Sequence, residues 1–229
     1  MFTIENLKKV YLDSQGNTDT IHSLDLHIYS GEAIALMGDC QSGKAALLSI
    51  ISFSERPDGG RIFFNNLNIT EYTLLQLVEF RRRFVGFLSM DSYLINELTV
   101  LENINLVLKN QYKTKNEQVA LIEETVERLK IEYLLNKYPS QLTTLQQRIA
   151  QLACVIVYQP KILLIEDFEG FFGNFNFEIL NMMEYLNCLG MTIIMGTNSE
   201  MYAHHNHRII RLFDGHLVED EIIIEVAVV

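Results

Sequence analysis

Residues 37–50 spell MGDCQSGKAALLSI, and the glycines and lysine in it are spaced for one kind of chemistry. Gly38 and Gly43 bracket four residues and Lys44 follows at once. Glycines let backbone N–H groups turn inward around an anion and the lysine adds a point charge, so G-x4-G-K describes a loop that cradles phosphates. The loop as a whole, Gly38, Asp39, Cys40, Gln41, Ser42, Gly43, Lys44 and the next two residues, is therefore the candidate phosphate site. The full pattern asks for a hydroxyl after the lysine, to hold magnesium, yet Ala45 and Ala46 stand there. A second candidate is the pair Glu166–Asp167 at the end of PKILLIED. Paired carboxylates can position a metal and polarise a water, although many buried strands end in acids at their solvent edge.

Strands and helices must position these groups. AIALMG is an apolar run that enters the loop, and AALLSIISFS has the composition of a helix leaving it, whose N-terminal dipole would add to anion binding. FTIENLKKVYL and TIHSLDLHIYS alternate apolar and polar residues as strands do, and PDGGRIFFNNLNIT is a turn followed by a hairpin. A helix over about 73–83 ends in Arg81, Arg82 and Arg83, which we assign to a solvated helix end. Long helical patterns at 97–150 look like an insert. QPKILLIED and MTIIMGTN are further buried strands, and two or three strands surround the turn at Asp214–Gly215. Strands alternating with helices imply a largely parallel, covered sheet. The tail after Glu219 either folds back on the core or pairs with a partner.

Bulk properties narrow the function. The chain of 229 residues suits one α/β domain, or a core with an inserted subdomain. A net charge of −11 argues against nucleic acid and against direct docking on anionic lipid, which both reward positive surface. No apolar run approaches the roughly 18 residues needed to cross a bilayer, so no direct membrane insertion is expected. The first residues carry no secretory signal, which makes cytoplasmic residence the expectation. Cys40, Cys154 and Cys188 lack metal or redox spacing and are expected to be buried or free thiols. The run HHNH at 204–207 is assigned to solvated surface.

An ordered series carries a resemblance: LKKVY, GDCQSGK, RRRFVGF, NELTVLENI, YPSQL, QQRIAQLA, PKILLIED, GMTIIMGTN and HRIIRLFDGHLV. In this order and spacing the chain resembles the nucleotide-binding subunits of ABC transporters, in the branch of LolD, MacB and FtsE, from about Phe2 to Asp220. The resemblance implies a P-loop NTPase (RecA-like) α/β core with a mainly parallel sheet, an N-terminal antiparallel β part and an inserted helical subdomain. The corresponding boundaries are a core of 1–88 and 154–229 and a helical subdomain of about 89–153. It further implies a head-to-tail dimer, as homodimer or heterodimer, in which each ATP lies between one subunit's phosphate loop and the other's signature. A membrane-spanning subunit would hold the chain on the inner face of the membrane, docking around Met90 to Val107.

The resemblance also shows what has changed. Tyr11 stands where the family stacks an aromatic on adenine. Gln41 replaces a small loop residue. Glu166 occupies the metal-positioning place and Asp167 the catalytic-base place, each displaced by a methylene, and misplacement by about 1 Å can cost on the order of 10²-fold in rate. Met90 replaces a glutamine that senses the γ phosphate. LTTLQQR, Leu142 to Arg148, replaces the glycine-containing signature, Gly173 an aspartate, and Asn198 the switch histidine. The expectation is a pseudo-ATPase that binds ATP weakly, independently of magnesium, with no well-formed metal site at Ala45 and Met90, and that acts as structural or regulatory partner of a membrane subunit. The alternatives are a slow ATPase in which Glu166 and Asp167 exchange duties, and a scaffold without nucleotide.

Overall fold

A computed structural model describes residues 1–12, 18–39, 41–90, 93–109, 114–173 and 177–223. In chain order the elements begin with strands β1 (Phe2–Leu12), β2 (Thr18–Ile28) and β3 (Ala33–Met37), then helix α1 (Lys44–Ile51). Strands β4 (Gly59–Phe64) and β5 (Leu67–Asn68) precede helix α2 (Leu74–Phe84) and strand β6 (Val85–Leu88). Three helices follow, α3 (Val100–Lys109), α4 (Lys115–Leu129) and α5 (Thr144–Ile156), before the chain returns to β7 (Ile162–Ile165). The remainder is α6 (Phe168–Phe172), α7 (Phe177–Cys188), β8 (Thr192–Thr197), α8 (Glu200–Ala203), β9 (Arg208–Phe213) and β10 (His216–Ile222).

Two sheets result. β2-β1-β4-β5 is antiparallel, as the alternating patterns of its strands require. The second sheet has the order β10-β9-β3-β8-β7-β6, parallel throughout except for the β9–β10 pair. Every residue of β3, β7 and β8 is buried. Strands covered on both faces need apolar residues at successive positions, which is why AIALM and ILLI show no alternation. One apolar cluster joins β1, β2, β4 and α1 to one face of this sheet, and a second joins α3 to α7 to the other. Within the first, Phe64 and Phe80 meet edge to face with centroids 4.8 Å apart.

The helices start where their sequences say. Thr73 with Gln76 and Thr114 with Glu117 each form a reciprocal capping box, satisfying donors that a helix start otherwise leaves orphaned. Thr99 and Glu102 do the same at α3, with Glu102 accepting from the Thr99 amide at 2.8 Å and Thr99 Oγ1 accepting from the Glu102 amide at 3.3 Å. Those donors hold the Glu102 carboxyl below its ordinary value. Asn103 is buried and ties the preceding loop to α3: its Oδ1 accepts from Ile95 N at 2.8 Å and its amide group donates to Thr99 O at 2.9 Å. The stretch NELTVLENI is thus a helix start with its own internal scaffolding.

Burial pushes the Cys154 thiol up to about 12, Cys188 is exposed, and Cys40 lies outside the described residues. His204, His205 and His207 are exposed. The tail folds back as far as Ile222 by pairing β10 on β9, while residues 224–229 lie outside the described set. Among the described residues no helix is long and apolar enough to cross a membrane.

Arg208 joins the two sheets. Its Nε and Nη2 donate to Asp220 at 2.6 and 2.7 Å, and its Nη1 donates to Glu32 at 3.1 Å and to the His27 carbonyl at 2.8 Å. The guanidinium is almost wholly buried, and the Asp220 contact raises its pKa further. Removing one partner of such a group strands the remaining charges in a water-poor site. Arg208→Ala should therefore lower unfolding free energy by about 3 kcal/mol, measured by urea denaturation. A loss within experimental error would show that the node is replaceable by water.

Candidate functional site

The phosphate loop connects β3 to α1, and its shape follows from what its residues can adopt. Gly43 sits at φ 88°, in the left-handed region, at the N-cap of α1, with no side chain capping the helix. Gly43 itself therefore claims none of the first-turn N–H groups, which together with the helix dipole face toward an anion. Gly38 has no room for a side chain: a Cβ there would stand 2.4 Å from Ser42 Oγ and 2.7 Å from the Leu212 carbonyl. Gln41 also lies in the left-handed region, at φ 78°, a conformation that costs energy for a residue with a Cβ and that clusters at ligand sites. Ser42 is buried, and its Oγ accepts from the Lys44 amide at 3.3 Å.

The loop is held from outside by the β9–β10 turn. Gly215 N donates to Ser42 O at 3.1 Å, while Gly215 O accepts from His22 N at 2.9 Å, so the turn links the loop to β2. Asp214 and Gly215 both adopt positive φ, at 45° and 71°, as a two-residue hairpin turn demands. A Cβ on Gly215 would approach Thr20 O to 2.0 Å.

Lys44 Nζ donates to Asn198 Oδ1 at 2.7 Å, which brings the loop after β8 onto the loop before α1. At the end of β7, Asp167 caps α6, its Oδ1 accepting from Gly170 N at 3.1 Å. A Cβ added to Gly170 would lie 2.5 Å from Asp167 Oδ2 and 3.4 Å from the Met90 sulfur, so Met90 and Asp167 converge on this glycine.

A family model described as ABC transporter matches residues 21–167, more than half of the chain. The chain belongs to the ABC transporter family. It is 27% identical to the lipoprotein-releasing system ATP-binding protein LolD 2 of Caulobacter vibrioides, over 95% of this chain and 96% of that protein. It is 26% identical to the macrolide export ATP-binding/permease protein MacB of Pasteurella multocida, over 96% of this chain but 34% of that longer protein. The ATP-binding cassette MJ0796, solved as a dimer in a post-hydrolysis state with ADP and Pi, superposes with a TM-score of 0.85 at 27% identity, covering 98% of this chain and 99% of that one. The fold is therefore that of an ABC ATP-binding cassette, and the chain is an ATP-binding subunit of the LolD and MacB kind.

Within this cassette the expected residues have definite places. Tyr11 is half-buried on β1, its hydroxyl bonded to Glu55 and its ring 5.1 Å from Lys9 Nζ. Asp39 and Gln41 are exposed, Cys40 lies outside the described residues, and Ala45 is exposed while Ala46 packs in the core. Met90 is exposed and presents a thioether. Magnesium takes oxygen ligands, so the methyl of Ala45 and the sulfur of Met90 do not fit it. Phosphate fits: Lys44, the uncapped start of α1 and the glycine loop supply positive charge and N–H donors.

The signature segment still begins a helix. Thr143 accepts from Gln146 N at 3.2 Å and Gln146 accepts from Thr143 N at 3.0 Å, a capping box that opens α5. Thr144 is exposed and Leu145 half-buried. The sequence did not single out Glu169, whose Oε1 receives the Thr197 hydroxyl and the amides of Asn198 at 3.2 Å and Ser199 at 3.0 Å. A lone acid among Phe168, Phe171 and Phe172 was the available signal.

Because Gly215 has both a positive φ and a carbonyl where its Cβ would go, Gly215→Ala should lower stability by about 2 kcal/mol or more. Limited proteolysis should then cut first within residues 38–44. An unchanged denaturation midpoint would show that the turn does not hold the loop.

Proposed function

We propose that this chain is a degenerate nucleotide-binding subunit that binds ATP, hydrolyses it poorly or not at all, and serves as a structural or regulatory partner of a membrane subunit. Residues 1–88 and 154–229 form its nucleotide core and about 89–153 its helical subdomain. The observation that carries the proposal is the phosphate loop. Lys44 and an uncapped helix start are kept, while the next side chain is the bare methyl of Ala45.

Hydrolysis of a γ phosphate needs a metal, an oriented water and donors for the developing charge. Asp167, the one acid at the base position, is engaged as the cap of α6. Loss of a general base alone costs roughly 10²- to 10⁴-fold, and further losses add to this without simply multiplying. This capping role also weighs against slow turnover through exchanged carboxylates. The Thr143, Thr144 and Leu145 side chains obstruct the backbone approach that a glycine pair would offer a phosphate on a second subunit.

A membrane partner is supported by a groove of about 740 Å³ beside α2 and α3, lined in part by Leu74, Val78, Arg81, Leu106, Val107 and Tyr158. Leu74, Leu75 and Val78 are 70%, 69% and 52% exposed, an apolar row on one helix that water alone does not favour. Pairing with a second nucleotide-binding subunit, identical or not, completes the proposed assembly on the inner face of the membrane.

Calorimetric titration of ATP, with and without magnesium, tests this. The expected result is binding that magnesium changes by less than about threefold and that Lys44→Ala weakens by about tenfold or more, as loss of a charge-assisted contact does. Magnesium-dependent phosphate release abolished by Asp167→Asn would instead establish a slow ATPase. No heat under any condition would leave a nucleotide-free scaffold.

A further inference from the structure

Glu169 has no role in the phosphate loop itself, yet it joins the start of α6 to the loop after β8, which meets the phosphate loop at Lys44. It lies in the first turn of α6, and three donors from the Thr197 to Ser199 segment converge on its Oε1. Its Oε2 is buried and, among the described residues, is the buried side-chain polar atom with no hydrogen-bond partner. A carboxylate oxygen left without a donor is costly. The side chain stays in place because its other oxygen is so fully used.

Asn198 links this carboxylate to the lysine. Its backbone amide donates to Glu169 Oε1 at 3.2 Å, and its side-chain Oδ1 accepts from Lys44 Nζ at 2.7 Å. The lysine that would meet phosphate is thus held by a neutral amide, and a carboxylate is fixed on the backbone of that same residue. A terminal phosphate drawn to Lys44 competes with Asn198 for the ammonium and brings more negative charge toward Glu169. A nucleotide ending one phosphate earlier brings less charge to the same place, while the N–H groups at the start of α1 serve both alike.

We propose that Glu169 sets the nucleotide preference of the loop, holding Asn198 on Lys44 so that a nucleoside diphosphate is retained over the triphosphate. This rests on the proposed nucleotide binding. Glu169 acts here as a positioning residue, since it reaches the nucleotide through Asn198 and through its charge.

The test is calorimetric titration of ATP and of ADP into the full chain and its Glu169→Gln and Glu169→Thr variants. The wild-type protein should bind ADP about tenfold more tightly than ATP, the scale of one like charge roughly 12 Å away at an effective dielectric of about 20. Glu169→Gln keeps the length and an acceptor oxygen but removes the charge, and it should bring the two affinities within about twofold of each other. A purely structural role would move both affinities together and leave their ratio unchanged. A ratio unaltered in both variants, or a wild-type preference for ATP, would overturn the inference while leaving nucleotide binding intact. Absence of binding by either nucleotide in all three proteins would overturn the nucleotide reading itself, and this inference with it.

Discussion

A loop that offers its N–H groups to an anion cannot spend them on regular structure, so something else must hold it. In this protein that support is the contact between Gly215 and Ser42. The hairpin turn reaches across from β10, gives one hydrogen bond to the loop and takes one from β2, and fits only because it has no side chain facing Thr20. The position of the loop therefore depends on the C-terminal hairpin as much as on β3 and α1. Arg208 fixes the root of that same hairpin by joining Asp220 to Glu32. The antiparallel sheet, the parallel sheet and the phosphate loop meet through two small contacts, and the register of β10 on β9 governs both.

Much of this was legible in the residues. Apolar runs without alternation marked β3, β7 and β8, because strands covered on both faces have no polar side to show. The Asp214–Gly215 pair announced its hairpin, since few other pairs accept positive φ twice. Helix starts could be found from Thr-x-x-Glu and Thr-x-x-Gln spacing. The partner of Lys44 was not legible, because Asn198 lies 154 positions away and only the parallel pairing of β3 with β8 brings them together. Glu169 was hidden for the same reason: its donors lie on a different strand's exit loop, and the nearby Phe168, Phe171 and Phe172 describe packing alone. The capping role of Asp167 was likewise invisible, since a carboxylate that caps a helix and one that faces a water look identical in a string of letters.

The pattern of retention is physically coherent. The interactions that build the fold, such as the Asn103 staple, the capping boxes and the buried strands, require no nucleotide and are intact. On the proposed reading, the groups that differ are those whose value lies in meeting a ligand or a second subunit: a hydroxyl, a glutamine, a glycine pair and a histidine. Losing such groups costs a folded monomer little, because polar and strained residues at ligand sites commonly lower stability rather than raise it.

The capping box at Thr143 has one further consequence. A helix that begins with glycines leaves its leading amides unclaimed, and an anion arriving from a neighbouring molecule would complete them. In α5 the Thr143 hydroxyl and the Gln146 side chain have already claimed two of those amides. The free energy that an incoming phosphate would release on contact is correspondingly smaller, and so is the cooperativity between occupancy and association. On the proposed reading, nucleotide and quaternary structure, which a glycine-started helix would make two readings of one equilibrium, are less tightly tied in this chain.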